Sequence, residues 1–176
     1  MLATLPGTSV LYYGDEIGMT DVDVPVALRR DHATLELEGG ADRDRARTPM
    51  PWNGSPGGGF TGPGVTPWLP MADPPVRTVA GQRDDPDSVL SLCRRLLALR
   101  RAELGRGLAD FENLAAAGGQ WAYRTGPLVV AANFTDRPAS LPPEAGEVLL
   151  TTSSEHAPPP GVLRPWEGVI TRLDQP

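Results

Sequence analysis

The sequence predicts an α/β segment followed by an all-β module, a fold class of α/β plus β. Residues 10–13 (Val-Leu-Tyr-Tyr) form an apolar, β-prone run, a leucine-rich helical pattern follows Asp85, and short β-type runs fill the chain beyond Gly105. We therefore expect one structural part at residues 1–104 and a second, all-β domain at residues 105–176.

The first part is predicted to hold one buried strand. Residues 1–5 have the pattern of a helix tail, which the pair Pro6 and Gly7 closes. Residues 10–13 show no polar alternation, and such a run is typical of a strand that is buried on both faces of a parallel sheet. Gly14 ends the run. A strand of this kind needs a neighbouring strand on each side.

A long loop is predicted to follow the strand. Residues from about 15 to 84 show no sustained helical or strand period, and Pro-Gly clusters at 54–59 and 62–64 indicate turns. Stretches of this length without regular structure are commonly functional in compact domains. Aromatic residues are spaced along it, at Trp52, Phe60 and Trp68. We therefore expect a folded loop on the rim of a substrate site.

A helix is predicted to begin at Asp85. This acid is a favourable cap, Pro86 suits the first helical position, and Asp87 adds negative charge to the first turn. Apolar residues then recur at spacings of three and four, which indicates one buried face. They are Val89, Leu92, Cys93, Leu96, Leu97 and Leu99. Gly105 is predicted to stop the helix.

The all-β module is predicted to contain four strands separated by Gly, Pro and Asp turns. They lie at residues 120–125, 128–134, 147–151 and 168–173. This spacing is typical of a small antiparallel sheet or sandwich. Trp121 and Trp166 belong to this module, and nothing in their spacing indicates a binding site.

Composition excludes several classes of function. The net charge is −6, all 16 basic residues are arginine, and no basic run is present, so we exclude nucleic acid as a partner. The sequence has no apolar run of roughly 18 residues and no basic-then-apolar start, so we expect no membrane span and a cytoplasmic location. Cys93 is the single cysteine, which excludes an intrachain disulfide.

Two motifs carry a resemblance to a known family. They are residues 7–19 (Gly-Thr-Ser-Val-Leu-Tyr-Tyr-Gly-Asp-Glu-Ile-Gly-Met) and residues 43–52 (Arg-Asp-Arg-Ala-Arg-Thr-Pro-Met-Pro-Trp). Further matches follow in order at residues 59–61, 67–70 and 129–135. The chain closely resembles glycoside hydrolase family 13, in the branch of α-glucosidases, oligo-1,6-glucosidases and trehalose synthases. The resemblance implies the last strand, long loop and last helix of a (β/α)8 TIM barrel, followed by a small antiparallel β-sandwich C-terminal domain.

The resemblance also implies that the catalytic acids lie outside this chain. In the family the nucleophilic Asp, the acid/base Glu and the Asp that stabilises the transition state all precede the motif at residues 7–19. The frequent calcium site also lies upstream, so we expect no catalytic residue, metal site or organic cofactor here. Asp15 and Glu16 are adjacent, and on extended backbone their side chains would point to opposite sides. We interpret them as carboxylates that anchor the loop, because retaining glycosidases need two carboxyl groups about 5 to 5.5 Å apart.

Arg43 is the residue for which the resemblance implies a substrate-binding role. It matches the arginine that lines the glucose subsite of the family and contacts sugar hydroxyls. A guanidinium can donate a fork of hydrogen bonds to neighbouring hydroxyls or pair with an acid at the pocket floor. We expect Arg47 to brace the loop through Asp44 or Asp15. The aromatic residues of the loop could either stack on sugars or pin the loop to the barrel.

His32 and His156 lie in unrelated segments without a nearby nucleophile motif, so a catalytic triad is not supported. We regard both as loop histidines.

Three hypotheses of function follow. In the first, the chain is the C-terminal fragment of an α-glucosidase that acts on maltose- or isomaltose-like oligosaccharides, and it is inactive without its N-terminal barrel polypeptide. A trehalose synthase-type transglycosylase fragment is the variant of this hypothesis. In the second, the chain is a non-catalytic binding or complementation subunit that docks on a separately encoded barrel. In the third, only the β module folds.

Overall fold

The computed structural model describes residues 1–31, 43–71, 77–105, 110–155 and 159–173. The chain forms two compact units. The first unit combines Met1–Val10 with Leu92–Pro176, and the second unit comprises Leu11–Ser91.

The first unit contains seven short strands among its described residues. They are β1 (Phe111–Asn113), β2 (Gln120–Thr125), β3 (Leu128–Asn133), β4 (Ala139–Ser140), β5 (Ala145–Thr151), β6 (Val162–Leu163) and β7 (Gly168–Leu173). Five of them form an antiparallel sheet in the order β1-β2-β3-β7-β5, and β4 pairs with β6 in a separate ladder. The predicted antiparallel module is therefore confirmed.

The central strand β3 is buried along its whole length and separates two apolar layers. Ala122 and Ala131 pack with Leu163 and Val169 on one side of the sheet. Tyr123, Leu128, Val130 and Ile170 form the other layer, against which Leu96 and Leu99 of the long helix pack. Alternate residues of β2 and β3 thus enter opposite layers, as the period of a strand requires.

The N-terminal segment is held to this second layer by polar contacts. The chain begins with a short 3-10 helix, Leu2–Thr4, and the hydroxyl groups of Thr4 and Tyr123 share a hydrogen bond of 2.6 Å. The guanidinium of Arg100 donates to the carbonyl oxygens of Ala3 and Leu5 at 2.6 and 2.9 Å. Gly7, with φ of 92°, turns the chain after the helix.

The second unit is built from short helical turns. The described residues include 3-10 helices at Asp15–Ile17, Val26–Leu28, Arg43–Ala46 and Pro56–Gly59, and a single-turn α-helix, α1 (Val79–Gln82). Its core is small and comprises Ile17, Met50, Val79 and Leu90, with Met19 packed against them.

The long helix α2 (Val89–Glu103) begins later than the sequence pattern predicts. The Oγ of Ser88 accepts a hydrogen bond from the backbone N–H of Ser91 at 3.2 Å, which is the contact of a helix cap. The carboxylate of Asp85 instead accepts from the N–H of Asp87 at 2.9 Å and closes a turn before the helix. The predicted start at Asp85 is therefore wrong, because Ser88 provides the cap. The helix ends before Gly105, whose φ is 59°, as predicted.

The strand that we expected at residues 10–13 is not formed in this structure. The side chains of Leu11, Tyr12 and Tyr13 are exposed instead of buried. A parallel strand satisfies its N–H and C=O groups only by pairing with neighbours, and the part of the chain that the structure describes contains no parallel strand. The residues have the composition of a buried strand but lack its partners here.

Candidate functional site

Arg43 is fixed by a two-pronged contact with Asp31. Its Nε donates to Oδ2 of Asp31 at 2.6 Å, and a terminal nitrogen donates to Oδ1 at 2.7 Å. The Asp31 side chain is 6% exposed, whereas that of Arg43 is 55% exposed. The hydrogen bond and the negative charge of Asp31 raise the pKa of Arg43 above its ordinary value. The guanidinium therefore has a set orientation while much of it faces solvent.

Asp44 holds the backbone on which Asp31 lies. Its carboxylate is 1% exposed, and its Oδ2 accepts hydrogen bonds from the backbone N–H groups of Arg30 and Asp31, the latter at 2.8 Å. Arg47 lies 3.9 Å from Asp31 and 4.0 Å from Asp44, each measured from its terminal nitrogen to a carboxylate oxygen. Two acids and two arginines thus form one network in which Arg43 is the most exposed member.

Arg47 and Arg45 brace this loop. Of the two partners expected for Arg47, the structure places Asp44 beside it, and Asp15 contacts the backbone elsewhere. Arg45 pairs with Asp23 at 2.9 Å, and its carbonyl oxygen accepts from the N–H of Val22 at 3.1 Å. These contacts join the segment at residues 22–23 to the helix that carries Arg43.

Asp15 and Glu16 serve the backbone, as the sequence indicates. Oδ2 of Asp15 accepts from the N–H of Tyr12 at 3.0 Å, and Oε2 of Glu16 accepts from the N–H of Gly14 at 2.8 Å. Both acids lie on a 3-10 helix instead of extended backbone. Their oxygens cap the preceding turn and are not directed at one another as a catalytic pair.

Asp31 is the site residue that sequence reasoning missed. It lies twelve residues before Arg43 in a region without periodicity. The available signal was an acid directly after Arg29 and Arg30 in the same loop as Arg43, which suggests an ion pair without identifying its partner.

The aromatic residues of the loop converge on one cavity of about 450 Å³. Tyr13, Trp52, Phe60 and Trp68 line it together with Pro49, Met50 and Glu16. A larger cavity of about 840 Å³ also has Trp68 in its lining, together with Arg30, Thr66, Gly57 and Gly58. The structure therefore brings together the three aromatic residues that the sequence singled out.

The remaining candidates have local roles or lie outside the described residues. Trp121 donates from Nε1 to Asn113 at 3.1 Å and packs on Tyr123, whereas Trp166 is exposed in a turn. His32 and His156 lie outside the described residues. No group of three or more His, Cys, Asp or Glu side chains in the described ranges could hold a metal ion. None of the helices in the described part of the chain has the length and apolar content needed to cross a bilayer.

Comparison with known proteins gives two family matches. Residues 1–107 match the family described as "Alpha amylase, catalytic domain". Residues 107–170 match "Domain of unknown function (DUF3459)".

Individual relatives agree with these matches but are much longer than this chain. A probable α-glucosidase of Rhizobium meliloti is 36% identical over 115 residues, which are 63% of this chain and 20% of that protein. The trehalose synthase/amylase TreS of Mycobacterium tuberculosis is 37% identical over 121 residues, which are 65% of this chain and 18% of that protein. The chain therefore spans about a fifth of the length of these relatives.

A solved structure shows the same fold. The trehalulose synthase MutB from Pseudomonas mesoacidophila MX-45 superposes with a TM-score of 0.79 and 26% sequence identity, over 98% of this chain and 37% of MutB. The superposition supports the predicted fold class, which is the C-terminal part of a (β/α)8 enzyme together with its β-domain. The chain belongs to the α-amylase family of glycoside hydrolases, family 13, and matches the catalytic domain over residues 1–107 and the DUF3459 domain over residues 107–170.

Proposed function

We propose that this chain is the C-terminal part of an α-glucosidase-type enzyme and that Arg43 binds the terminal glucose of an α-glucoside. The observation that carries this proposal is the geometry of Arg43. Two of its donors are fixed on the carboxylate of Asp31, and the rest of the exposed guanidinium remains available to sugar hydroxyls.

The buried acids beneath Arg43 support a binding role. A binding group is effective when neighbouring groups hold it in one orientation before the ligand arrives. Asp31 fixes the guanidinium, and Asp44 fixes the backbone of Asp31. More than half of the Arg43 side chain stays exposed beyond this pair, so a ligand can reach it.

The chemistry of the bond would come from carboxylates that this chain does not provide. Retaining glycosidases use one carboxylate as a nucleophile and another as an acid and base. Asp15 and Glu16 are engaged with backbone N–H groups in the described structure. In this proposal residues 1–104 complete the catalytic barrel, residues 105–176 form the β-domain, and this chain moves no proton.

A transglycosylase of the trehalose synthase type is the second candidate. The similarity to the Mycobacterium tuberculosis trehalose synthase/amylase TreS favours it as directly as the R. meliloti relative favours hydrolysis. The two functions differ in products: a hydrolase releases glucose from maltose, and a trehalose synthase converts maltose to trehalose. Chromatography of the products from maltose separates the candidates.

The experiment that tests the proposal is a fusion. The part of the R. meliloti α-glucosidase that precedes the matched region is joined to this chain, and hydrolysis of p-nitrophenyl-α-glucoside is measured for the fusion and its Arg43→Ala variant. The proposal predicts activity in the fusion and its loss in the variant. An active fusion that tolerates Arg43→Ala would contradict the role of Arg43. A cytoplasmic location is part of the proposal, and cell fractionation of the native host tests it.

A further inference from the structure

The turn at Trp166, between β6 and β7, has an unusual backbone. Among the described residues, Trp166 is the one residue other than glycine with a positive φ, which is 58°. A residue with a Cβ is strained in this left-handed region, whereas glycine adopts it readily. Trp166 is also 67% exposed, so burial of the indole does not offset the strain. The fold therefore holds a large apolar ring in solvent at a position that suits glycine better.

Buried polar contacts fix this turn. The carboxylate of Glu167, a residue that is 3% exposed, accepts hydrogen bonds from the backbone N–H of Arg164 and the hydroxyl group of Thr151, both at 2.7 Å. The backbone N–H of Trp166 donates to the carbonyl oxygen of Thr135 at 3.2 Å. Strained conformations persist where the surroundings determine them, and they are concentrated at sites that contact ligands. The turn thus has the properties of a support for the exposed indole.

A second exposed aromatic residue and a cavity lie at the same end of β3. Phe134 directly follows β3 and is 52% exposed. The next residue, Thr135, accepts the hydrogen bond from Trp166 and lines a cavity of about 820 Å³. The lining of this cavity also includes polar side chains of four kinds, an amide, a carboxylate, a guanidinium and a hydroxyl group, from Gln120, Asp136, Arg137 and Ser140. We call Phe134, Trp166 and this cavity the β3-end surface.

The charged groups of the β3-end surface are accessible to a ligand. The side chains of Asp136 and Arg137 are 84% and 89% exposed, and their closest charged atoms are 4.0 Å apart, which makes a weak ion pair. The contact of Arg137 with the fold is made by its backbone, whose carbonyl oxygen accepts from Nδ2 of Asn133 at 2.7 Å. Both side chains can therefore bind hydroxyl groups without breaking a buried contact.

This combination of groups matches the chemistry of a sugar. A pyranose ring has C–H groups on its faces, which pack on aromatic rings, and hydroxyl groups at its rim, which need donors and acceptors. Two aromatic side chains supply roughly 300 to 500 Å² of contact area, whereas a stable protein interface buries about 800 Å² on each partner. The net charge of −6 disfavours a polyanion. A small neutral ligand with apolar faces and a polar rim fits best.

We propose that the β3-end surface binds an oligosaccharide, with Trp166 and Phe134 packed on sugar faces and with Asp136 and Arg137 in contact with sugar hydroxyl groups. These residues belong to the first unit, whereas Arg43 belongs to the second unit. The choice of an α-linked glucose oligomer as the ligand rests on the proposed function, because such oligomers are the substrate class proposed there.

The test is a titration of the full 176-residue chain with maltoheptaose, in which calorimetry gives the dissociation constant. Trp166→Gly removes the indole together with the backbone strain, and Trp166→Tyr retains an aromatic ring. Trp52→Ala is the matched control, since it removes an exposed tryptophan of the second unit. Arg43→Ala shows whether any binding belongs to the proposed glucose site instead.

We expect saturable binding that Trp166→Gly weakens by about tenfold and Phe134→Ala by about threefold, as the loss of an aromatic contact predicts. Trp166→Tyr should retain most of the affinity, and Trp52→Ala and Arg43→Ala should bind as the unchanged chain does. Urea unfolding gives a second readout. The midpoint of Trp166→Gly should stay close to that of the unchanged chain, because relief of strain offsets the greater freedom of glycine in the unfolded state.

Several results would overturn the assignment. They are the absence of saturable maltoheptaose binding, and binding that Trp166→Gly and Phe134→Ala leave unchanged. Equal affinity for cellohexaose would contradict the choice of α-linked glucose. A large fall in the urea midpoint of Trp166→Gly would give the tryptophan a structural role, and self-association that this variant abolishes would make a second copy of the chain the ligand.

The same measurements separate this inference from the proposed function. Binding that depends on Trp166, together with an inactive fusion, would reject the proposed function and retain a sugar site on the β-domain. An active fusion in a protein whose chain shows no binding that depends on Trp166 would reject the β3-end surface alone.

Discussion

The guanidinium of Arg43 and the carboxylate of Asp31 form a parallel pair of hydrogen bonds of 2.6 and 2.7 Å, with the acid buried and the arginine exposed. Such a fork fixes orientation as well as position. The exposed edge of Arg43 is therefore presented in one direction, as a group that recognises a ligand must be.

Replacement of Arg43 by lysine should reduce hydrolysis of p-nitrophenyl-α-glucoside by the fusion roughly a hundredfold, because a single ammonium cannot hold Asp31 and donate a directed fork to sugar hydroxyls. Michaelis–Menten parameters for Arg43→Lys and Arg43→Ala provide the measurement. Arg124→Ala is the matched control, since Arg124 of β2 also contacts an acid, Glu112 of the edge strand β1, but lies in the β-sheet. A variant of Arg43 with unchanged kcat/KM would remove the basis for its substrate role.

Replacement of Asp44 by alanine should destabilise the second unit by about 2 to 4 kcal/mol, because it leaves two backbone N–H groups near buried Asp31 without an acceptor. Urea unfolding followed by tryptophan fluorescence gives the free energy of unfolding. Asp44→Asn retains an acceptor oxygen and should cost less. Asp23→Ala, which removes an exposed ion pair with Arg45, should change the free energy by about 1 kcal/mol or less. Equal losses for Asp44→Ala and Asp23→Ala would show that Asp44 does not organise the loop.

The ionisation of Tyr123 should weaken the first unit at alkaline pH. Burial raises the pKa of Tyr123 above its ordinary value, and the hydrogen bond with Thr4 opposes this shift. The pKa of Tyr123 is raised in the folded state. The contribution of its neutral phenol to stability is therefore fully present below the unfolded-state pKa of about 10, and it is lost as pH rises through the folded-state pKa. Urea midpoints measured from pH 8 to above pH 10 should therefore fall more steeply for the unchanged chain than for Tyr123→Phe.

The same variant has a second consequence at neutral pH. Tyr123→Phe removes the hydrogen bond of 2.6 Å to Thr4 and should cost about 1 kcal/mol. Tyr13→Phe in the second unit is the control, and it should retain the fall of the urea midpoint at alkaline pH that is due to Tyr123. If the urea midpoints of the unchanged chain and of Tyr123→Phe change with pH in the same way, burial of Tyr123 does not have the proposed effect on stability.

The β-sheet core depends on Leu128, which is fully buried between Tyr123, Val130 and Ile170. Leu128→Ala should reduce the free energy of unfolding by about 2 to 5 kcal/mol, because it removes apolar contacts and leaves a cavity. Val148→Ala is a control on an exposed position of the same sheet and should cost much less. Urea denaturation compares the two, and similar losses would show that the sheet is not the stabilising core.

The sequence was informative where local pattern and tertiary environment agree. Strands β2, β3 and β7 lie at or within one residue of their predicted positions because each is a continuous β-prone run bounded by turn residues. Strands β1, β4 and β6 were not predicted, since two or three residues are too few to establish a period. Residues 10–13 show the opposite case. Their composition predicts a strand, but a strand forms only where neighbouring strands pair with it, and the described part of the chain does not provide them.

The candidate site was only partly predictable for a similar reason. Arg43 and Arg47 belong to a recognisable motif. Asp44 lies in the same motif, so the sequence suggests it as a partner of Arg47. The contact of Arg43 with Asp31 joins two irregular segments, and no spacing rule relates residues across such a loop. The convergence of Trp52, Phe60 and Trp68 on one cavity likewise depends on how the loop folds over the core that Met50 helps to form.

The most direct test of the central claim is the rate of p-nitrophenyl-α-glucoside hydrolysis by the purified 176-residue chain, measured beside the fusion with the preceding part of the R. meliloti α-glucosidase. We expect no turnover by the chain alone, turnover by the fusion, and loss of that turnover in the fusion that carries Arg43→Ala. Turnover by the chain alone would contradict the assignment of catalysis to carboxylates outside it, and Asp15 and Glu16 would then be the acids to replace.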